Sequence, residues 1–342
     1  MKFRVTGLAL AGLMAASLVL PAFAATAQDA SAEQTSSSGI YLDGEPAQML
    51  EYRLYKSVNY ITVESFMAMM DEEAVVEEEN GTVVVNATAV TGIVDVENPE
   101  EAAAEQPEQE AEVRSEKAQA QDQETVGQSE EADAGDPEAE ESLQANVVEE
   151  TLTFSASEGA KYVVANGRYL YVKNGVMELD GKIAVPVRVL AEIFNLEVGY
   201  DGKTGNVTLT SQESAGAYLE SGEAYYDGDT LYWLSRIIYA ESGNQPLDGK
   251  IAVGNVVMNR VASPLFPDTI YDVLFQRNQF SPAATGSIYR TPNAASVAAA
   301  KLVLDGAVSL KNVLFFNAAG LNSYASRNRP YVATIGNHAF YA

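Results

Sequence analysis

The chain has 342 residues, enough for two modest domains with linkers, and 47% of them are hydrophobic, a globular composition. A formal net charge of −27 argues against nucleic acid as a partner, and the absence of cysteine excludes a disulfide framework, a lipid-modified cysteine and a thiol nucleophile. The acidity is local: residues 95–150 hold 20 Asp/Glu against Arg114 and Lys117, whereas residues 231–342 hold nine Lys/Arg against five Asp/Glu.

Residues 1–27 read as a secretory signal. Lys2 and Arg4 start it, an apolar run covers 5–20, and Ala22-Phe23-Ala24 or Ala25-Thr26-Ala27 supplies small-residue cleavage positions. That run of about 16 residues is shorter than the ~20 a spanning helix needs. No stable membrane span is therefore expected after cleavage, and a secreted, extracellular or wall- or spore-associated protein is; an uncleaved anchor is the alternative. Residues 28–38 are a polar, Ser-rich linker.

Residues 39–90 carry strand patterns at 40–42, 74–76 and 83–85 and a short helix at 63–70. The pattern returns at an offset of 124: Ile61, Val63, Phe66 and Met67 fall on Val185, Val187, Leu190 and Ala191, and Val83 and Val85 fall on Val207 and Leu209. Two copies, 39–90 and 151–212, are expected to complete one core, since either alone buries too little. Between them, 91–150 is an acidic insert with almost no aromatics over 98–144, expected to be disordered or transiently helical and lacking the spacing of a calcium loop.

The second copy resembles the repeat of copper amine oxidase N-terminal-like domains of exported Gram-positive proteins. The resemblance rests on Asn166-Gly167, Gly181, Val185-Pro186-Val187-Arg188, Glu192 and Val198-Gly199-Tyr200-Asp201. It implies no copper chemistry, and no His precedes His338 to bind such a metal. A wall-associated or substrate-positioning module and a plain folded spacer both fit.

After a linker at 213–228, the segment 229–342 opens with apolar positions Leu231, Leu234, Ile237 and Ile238 on one face of a helix ending near Ala240, with Asp229 or Thr230 as its N-cap. Glu241 falls at the end of that face. There a carboxyl is partly desolvated and meets the negative end of the helix dipole; both raise its pKa, as a general acid requires. A solvent-facing Glu at a helix end is the alternative.

Tyr239-Ala240-Glu241-Ser242-Gly243, Gly249-Lys250-Ile251-Ala252-Val253 and Val257-Met258-Asn259-Arg260-Val261 resemble the spore cortex-lytic, cell-wall hydrolase family. The likeness continues through Phe266-Pro267, Gln279-Phe280-Ser281, Phe315-Phe316-Asn317 and Ile335-Gly336-Asn337-His338. The resemblance implies a lysozyme-like lytic transglycosylase with Glu241 as single acid/base. Such an enzyme cleaves between N-acetylmuramic acid and N-acetylglucosamine and closes a 1,6-anhydro ring. A hydrolytic muramidase and a wall-binding protein without turnover are the alternatives. Asp248, Asp268, Asp272 and Asp305 are candidates for a second carboxylate, none within a motif.

Further candidates for substrate binding are Gln279 and Ser281, in a loop that either lines the groove or plugs the core, Asn317 after a strand, and Tyr239, Tyr289 and Tyr324, either as sugar-stacking rings or as amphipathic packing. Arg327 and Arg329 could meet carboxylates. His338 is the only histidine, so a Ser-His-Asp hydrolase would have to use it, and no Gly-x-Ser-x-Gly elbow is present; one His also argues against a catalytic zinc, and a structural role in a terminal hairpin is favoured. No metal or cofactor is expected. The expected fold is α+β: a small repeat-built α+β module interrupted by the disordered insert, then a mainly helical, lysozyme-like catalytic domain. The expected partner is peptidoglycan glycan strands, engaged by a monomer.

Overall fold

The computed structural model describes residues 39–70, 74–94, 146–212 and 216–342. The signal, the polar linker and the centre of the acidic insert lie outside the described residues. Of the described residues, those within 39–89 and 150–342 fall in one compact unit and 90–94 with 146–149 in a second.

The N-terminal part runs β1 (Ile40–Leu42), β2 (Glu45–Pro46), β3 (Tyr52–Tyr55), β4 (Val58–Thr62), α1 (Val63–Met70), β5 (Val75–Glu79) and β6 (Thr82–Val94). It resumes with β7 (Asn146–Ser157), β8 (Tyr162–Ala165), β9 (Arg168–Tyr171), β10 (Met177–Leu179), β11 (Lys182–Pro186), α2 (Val187–Ile193), β12 (Leu196–Tyr200) and β13 (Val207–Ser211). The helix expected at 63–70 and the strand at 40–42 form over those residues. β6 and β7 extend into the segment expected to be disordered, over 91–94 and 146–150.

The offset of 124 carries β4 onto β11 and the start of α1 onto the start of α2. β4 and β11 pair antiparallel with Ile61 opposite Val185, its own equivalent, so a local two-fold passes through that pair. Three sheets result, ordered β12-β13-β1-β2, β10-β11-β4-β3 and β5-β6-β7-β8-β9. The β1–β2 hairpin of the first copy adds to β13 of the second, with Ile40 beside Val207. The third sheet repeats this arrangement with β7 inserted. This exchange of strands gives both copies one core, in which Tyr60, Phe66 and Val83 join Phe154, Leu190 and Leu209. Alternation sets the faces: along β13, Val207 and Leu209 are buried and Thr208 and Thr210 exposed. Asn166 and Gly167, both at positive φ, make the tight turn joining β8 to β9.

The C-terminal part is mainly helical: α3 (Gly222–Tyr225), α4 (Gly228–Ser242), α5 (Leu247–Val261), α6 (Ile270–Phe275), α7 (Ser281–Thr285), a 3-10 turn (Ser287–Tyr289) and α8 (Ala294–Leu304). β14 (Phe315–Ala318), α9 (Tyr324–Asn328), β15 (Tyr331–Ile335) and β16 (His338–Tyr341) close the chain, the strands forming an antiparallel sheet ordered β14-β16-β15. α5 is the central helix, buried from Gly249 to Val257, as expected of a helix apolar on most sides. Gly254 lets α4 and α8 close on it: a Cβ there would stand 2.8 Å from Val303 Cγ2 and 3.1 Å from Ile238 Cδ1. Among the described residues no helix is long and apolar enough to cross a membrane.

The N-cap of α4 is Asp227, not Asp229 or Thr230. Its carboxylate accepts the Thr230 backbone N–H at 2.7 Å, which holds its pKa down, and Asp229 becomes a first-turn acid. The helix also runs to Ser242, past Ala240, so Glu241 sits inside its last turn.

The β8–β9 hairpin and the residue before it bear on the helices through two acids, the buried Asp305 and the half-buried Asp248. Asp305, whose side chain is fully buried at the C-cap of α8, receives Arg168 Nε and Nη2, both at 2.5 Å. It also accepts the Tyr169 backbone N–H at 3.1 Å and the Tyr226 hydroxyl. Asp248 in the first turn of α5 accepts Lys161 Nζ and, at 2.9 Å, the Tyr171 hydroxyl. Burial and the neighbouring carboxylates push both tyrosine hydroxyls well above their usual range.

Candidate active site

Leu234, Ile237 and Ile238 are fully buried and fix the rotation of α4. Glu241 lies three and four residues beyond Ile238 and Ile237, at the C-terminal end of the same face. Its carboxyl makes no hydrogen bond and no ion pair among the described residues. Burial pushes its pKa up to about 7, and the C-terminal end of the helix acts in the same direction. A carboxyl with no donor to satisfy its charged form is half protonated near neutral pH, able to give a proton and take it back.

The chain after Glu241 is pinned on both sides. Buried Lys250 donates its Nζ to the Gln245 carbonyl. Gln245, also buried, accepts the Asn337 backbone N–H on its Oε1 at 2.8 Å, tying the β15–β16 turn to the end of α4. Gly336 in that turn has φ +56, and a Cβ there would run into Gln245 Oε1. Asn293 donates to the Gly243 carbonyl at 3.5 Å from the start of α8.

The expected site residues fall into several groups. His338 begins β16, one residue after the Gln245 anchor; its ring is 5.3 Å from Phe316, its Nδ1 is buried without a partner, and burial lowers its pKa. It is therefore a neutral imidazole at neutral pH. Tyr239 is half-buried with Gly243 against its ring. Gln279 is exposed and accepts Arg260 Nη1 on its Oε1 at 3.1 Å. Ser281 is exposed at the first position of α7. Asn317 spends its amide locally, donating to the Ala318 carbonyl and accepting the Ser323 hydroxyl, both at 2.7 Å. Arg329 lies over the Phe315 ring at 4.7 Å, near Tyr324, with its Nε unpartnered. Tyr289 is exposed and lies 6.0 Å from Trp233.

Of the four alternative acids, Asp248 and Asp305 are occupied by the β8–β9 hairpin, and Asp272 accepts the Thr269 hydroxyl in the first turn of α6. Asp268 is exposed. Sequence reasoning passed over Gln245 and Arg260. Arg260 is buried among Phe266, Phe280 and Phe315, donates to the Leu314 carbonyl, and has its pKa pushed down to about 10 by burial. A charged residue following the apolar run Val256-Val257-Met258 of α5 was the available signal for it.

Residues 244–341 match the family model Cell Wall Hydrolase. The C-terminal part of this chain is a cell wall hydrolase domain. Ahead of it, residues 143–243 match the Copper amine oxidase N-terminal domain, a range that takes in Glu241. The domain is similar to a spore cortex-lytic enzyme of Bacillus cereus, 32% identical over 142 residues, 40% of this chain and 54% of that protein. A spore cortex-lytic enzyme of Bacillus subtilis is 29% identical over 130 residues, 38% of this chain and 42% of that one. The chain thus spans about half the length of the curated relatives it matches. Among solved structures, the catalytic domain of the germination-specific lytic transglycosylase SleB from Bacillus anthracis is 30% identical, covering 36% of this chain and 100% of that one, with a TM-score of 0.33.

Proposed function

We propose that this chain is an exported peptidoglycan-degrading enzyme, cleaving the bond between N-acetylmuramic acid and N-acetylglucosamine as a lytic transglycosylase. The observation that carries this reading is the unpartnered carboxyl of Glu241, with a pKa of about 7, immediately ahead of a cell wall hydrolase domain. The names of the similar proteins, cortex-lytic enzymes and a lytic transglycosylase, support the same chemistry.

Glu241, protonated, gives its proton to the glycosidic oxygen as the bond to the muramic C1 breaks. The N-acetyl group of that sugar stabilises the positive centre. Glu241, now a carboxylate, takes the proton from the sugar's C6 hydroxyl, whose oxygen closes on C1. One acid serves both steps, and two of the other acids are committed to Arg168 and Lys161. A conventional glycosidase instead needs two carboxyls at set separations.

The experiment digests purified peptidoglycan with the full chain and with Glu241→Gln, then analyses the fragments by mass. Anhydro ends from the parent and none from the variant are expected. Free reducing ends would make the enzyme a hydrolytic muramidase. Equal fragment release by the variant would remove Glu241 from the chemistry, and wall binding without any fragments would leave a binding protein. Running cortex and vegetative peptidoglycan in parallel identifies the wall it cuts.

A further inference from the structure

On α4, Trp233 lies eight residues before Glu241, about 12 Å along the axis and within about 80° around it. Trp233 borders the buried stripe formed by Leu234, Ile237 and Ile238 on its Ile237 side, and Glu241 continues that stripe at the C-terminal end of the helix. Around Trp233 the chain gathers Tyr232 at 4.9 Å, Tyr271 at 5.4 Å, Phe275 at 5.5 Å and Tyr289 at 6.0 Å between ring centroids. Apart from Tyr232, which is next to Trp233 in sequence, these rings come from α6 and the 3-10 turn and are brought to α4 by tertiary packing. The three tyrosines remain open to solvent, at 40%, 49% and 56% exposure, although burying them would be favourable. Beside them the Arg236 guanidinium lies 3.7 Å from the Tyr232 ring, with no carboxylate paired to it among the described residues and its Nε buried without a partner.

Exposed rings with polar edges suit the apolar face of a sugar, and an unpaired guanidinium suits a carboxylate. We infer that the Trp233 cluster is a remote subsite for a carboxyl-bearing, N-acetylated glycan strand, holding sugars a few rings from the bond at Glu241. The inference rests on the proposed peptidoglycan activity and names where the strand runs. With Arg236 stacked on Tyr232 in the same cluster, the subsite prefers carboxylate-bearing, muramic-type strands to uncharged chitin oligomers. Holding the strand away from the reacting bond also supplies binding energy that orients that bond toward Glu241.

Trp233 is the only tryptophan of the chain, so its emission reports on this patch alone. Soluble peptidoglycan strands are titrated into the full-length Glu241→Gln protein while that emission is followed. A saturable change is expected. Tyr271→Ala combined with Tyr289→Ala should weaken the midpoint about tenfold, and Phe at both positions should keep it. Arg236→Met should weaken peptidoglycan strands and leave chitin oligomers unchanged. Emission that stays constant while the strands bind, or a midpoint indifferent to the double Ala variant, would overturn the subsite. Fragment release by Glu241→Gln would instead overturn the catalytic reading, so the two failures are separable.

Discussion

A carboxyl with raised pKa leaves a mark on stability as well as on catalysis. Glu241 retains its proton up to about pH 7 in the folded chain but loses it near 4.5 when unfolded. Its contribution to stability is therefore fully present below pH 4.5, falls as pH rises toward 7, and is flat above. The loss amounts to up to about 3 kcal/mol. Urea unfolding should show Glu241→Gln equal to the parent at pH 4 and more stable than it at pH 8. Gln245 makes a second test at this scale. Gln245→Met leaves the Asn337 N–H without its acceptor and should cost about 1–2 kcal/mol, whereas Gln245→Glu keeps an acceptor and should cost less. Thermal melts of the two variants compare them directly.

Among the elements, α5 has the least room. Gly254→Ala places a methyl against Val303 and Ile238 and should cost about 1–3 kcal/mol by overpacking, measured by denaturant unfolding. The helical face of 231–238 and the repeat at offset 124 were legible because 3.6-residue periodicity and paired apolar positions are local facts of sequence. The cap was misplaced because Asp227 and Asp229 both offer a carboxylate, and only the path of the chain decides which meets a free N–H. β7 was missed because Asn146–Ser157 mixes acids with its apolar positions, and one of its two neighbours, β6, lies on the far side of the acidic insert. The Gln245 anchor was hidden for the same reason: its acceptor meets a backbone N–H 92 residues away. Glu241 was visible by position, but position could not show that its carboxyl finds no partner.

For the whole molecule, the clamp at Asp305 and Asp248 makes the repeat module part of the body that carries the hydrolase domain. Arg168→Met leaves the fully buried Asp305 without its cation and should cost about 3–5 kcal/mol. Calorimetry should show a single transition for the parent and, for the variant, a lowered or split one. The central claim is that one carboxyl, Glu241, performs both proton transfers on peptidoglycan. The most direct test is the pH profile of kcat on purified peptidoglycan, with mass analysis of the ends released. Activity that falls as pH rises through about 7, gives anhydro ends and vanishes in Glu241→Gln is the expected result. Full activity in Glu241→Gln, with the same ends released, would contradict it.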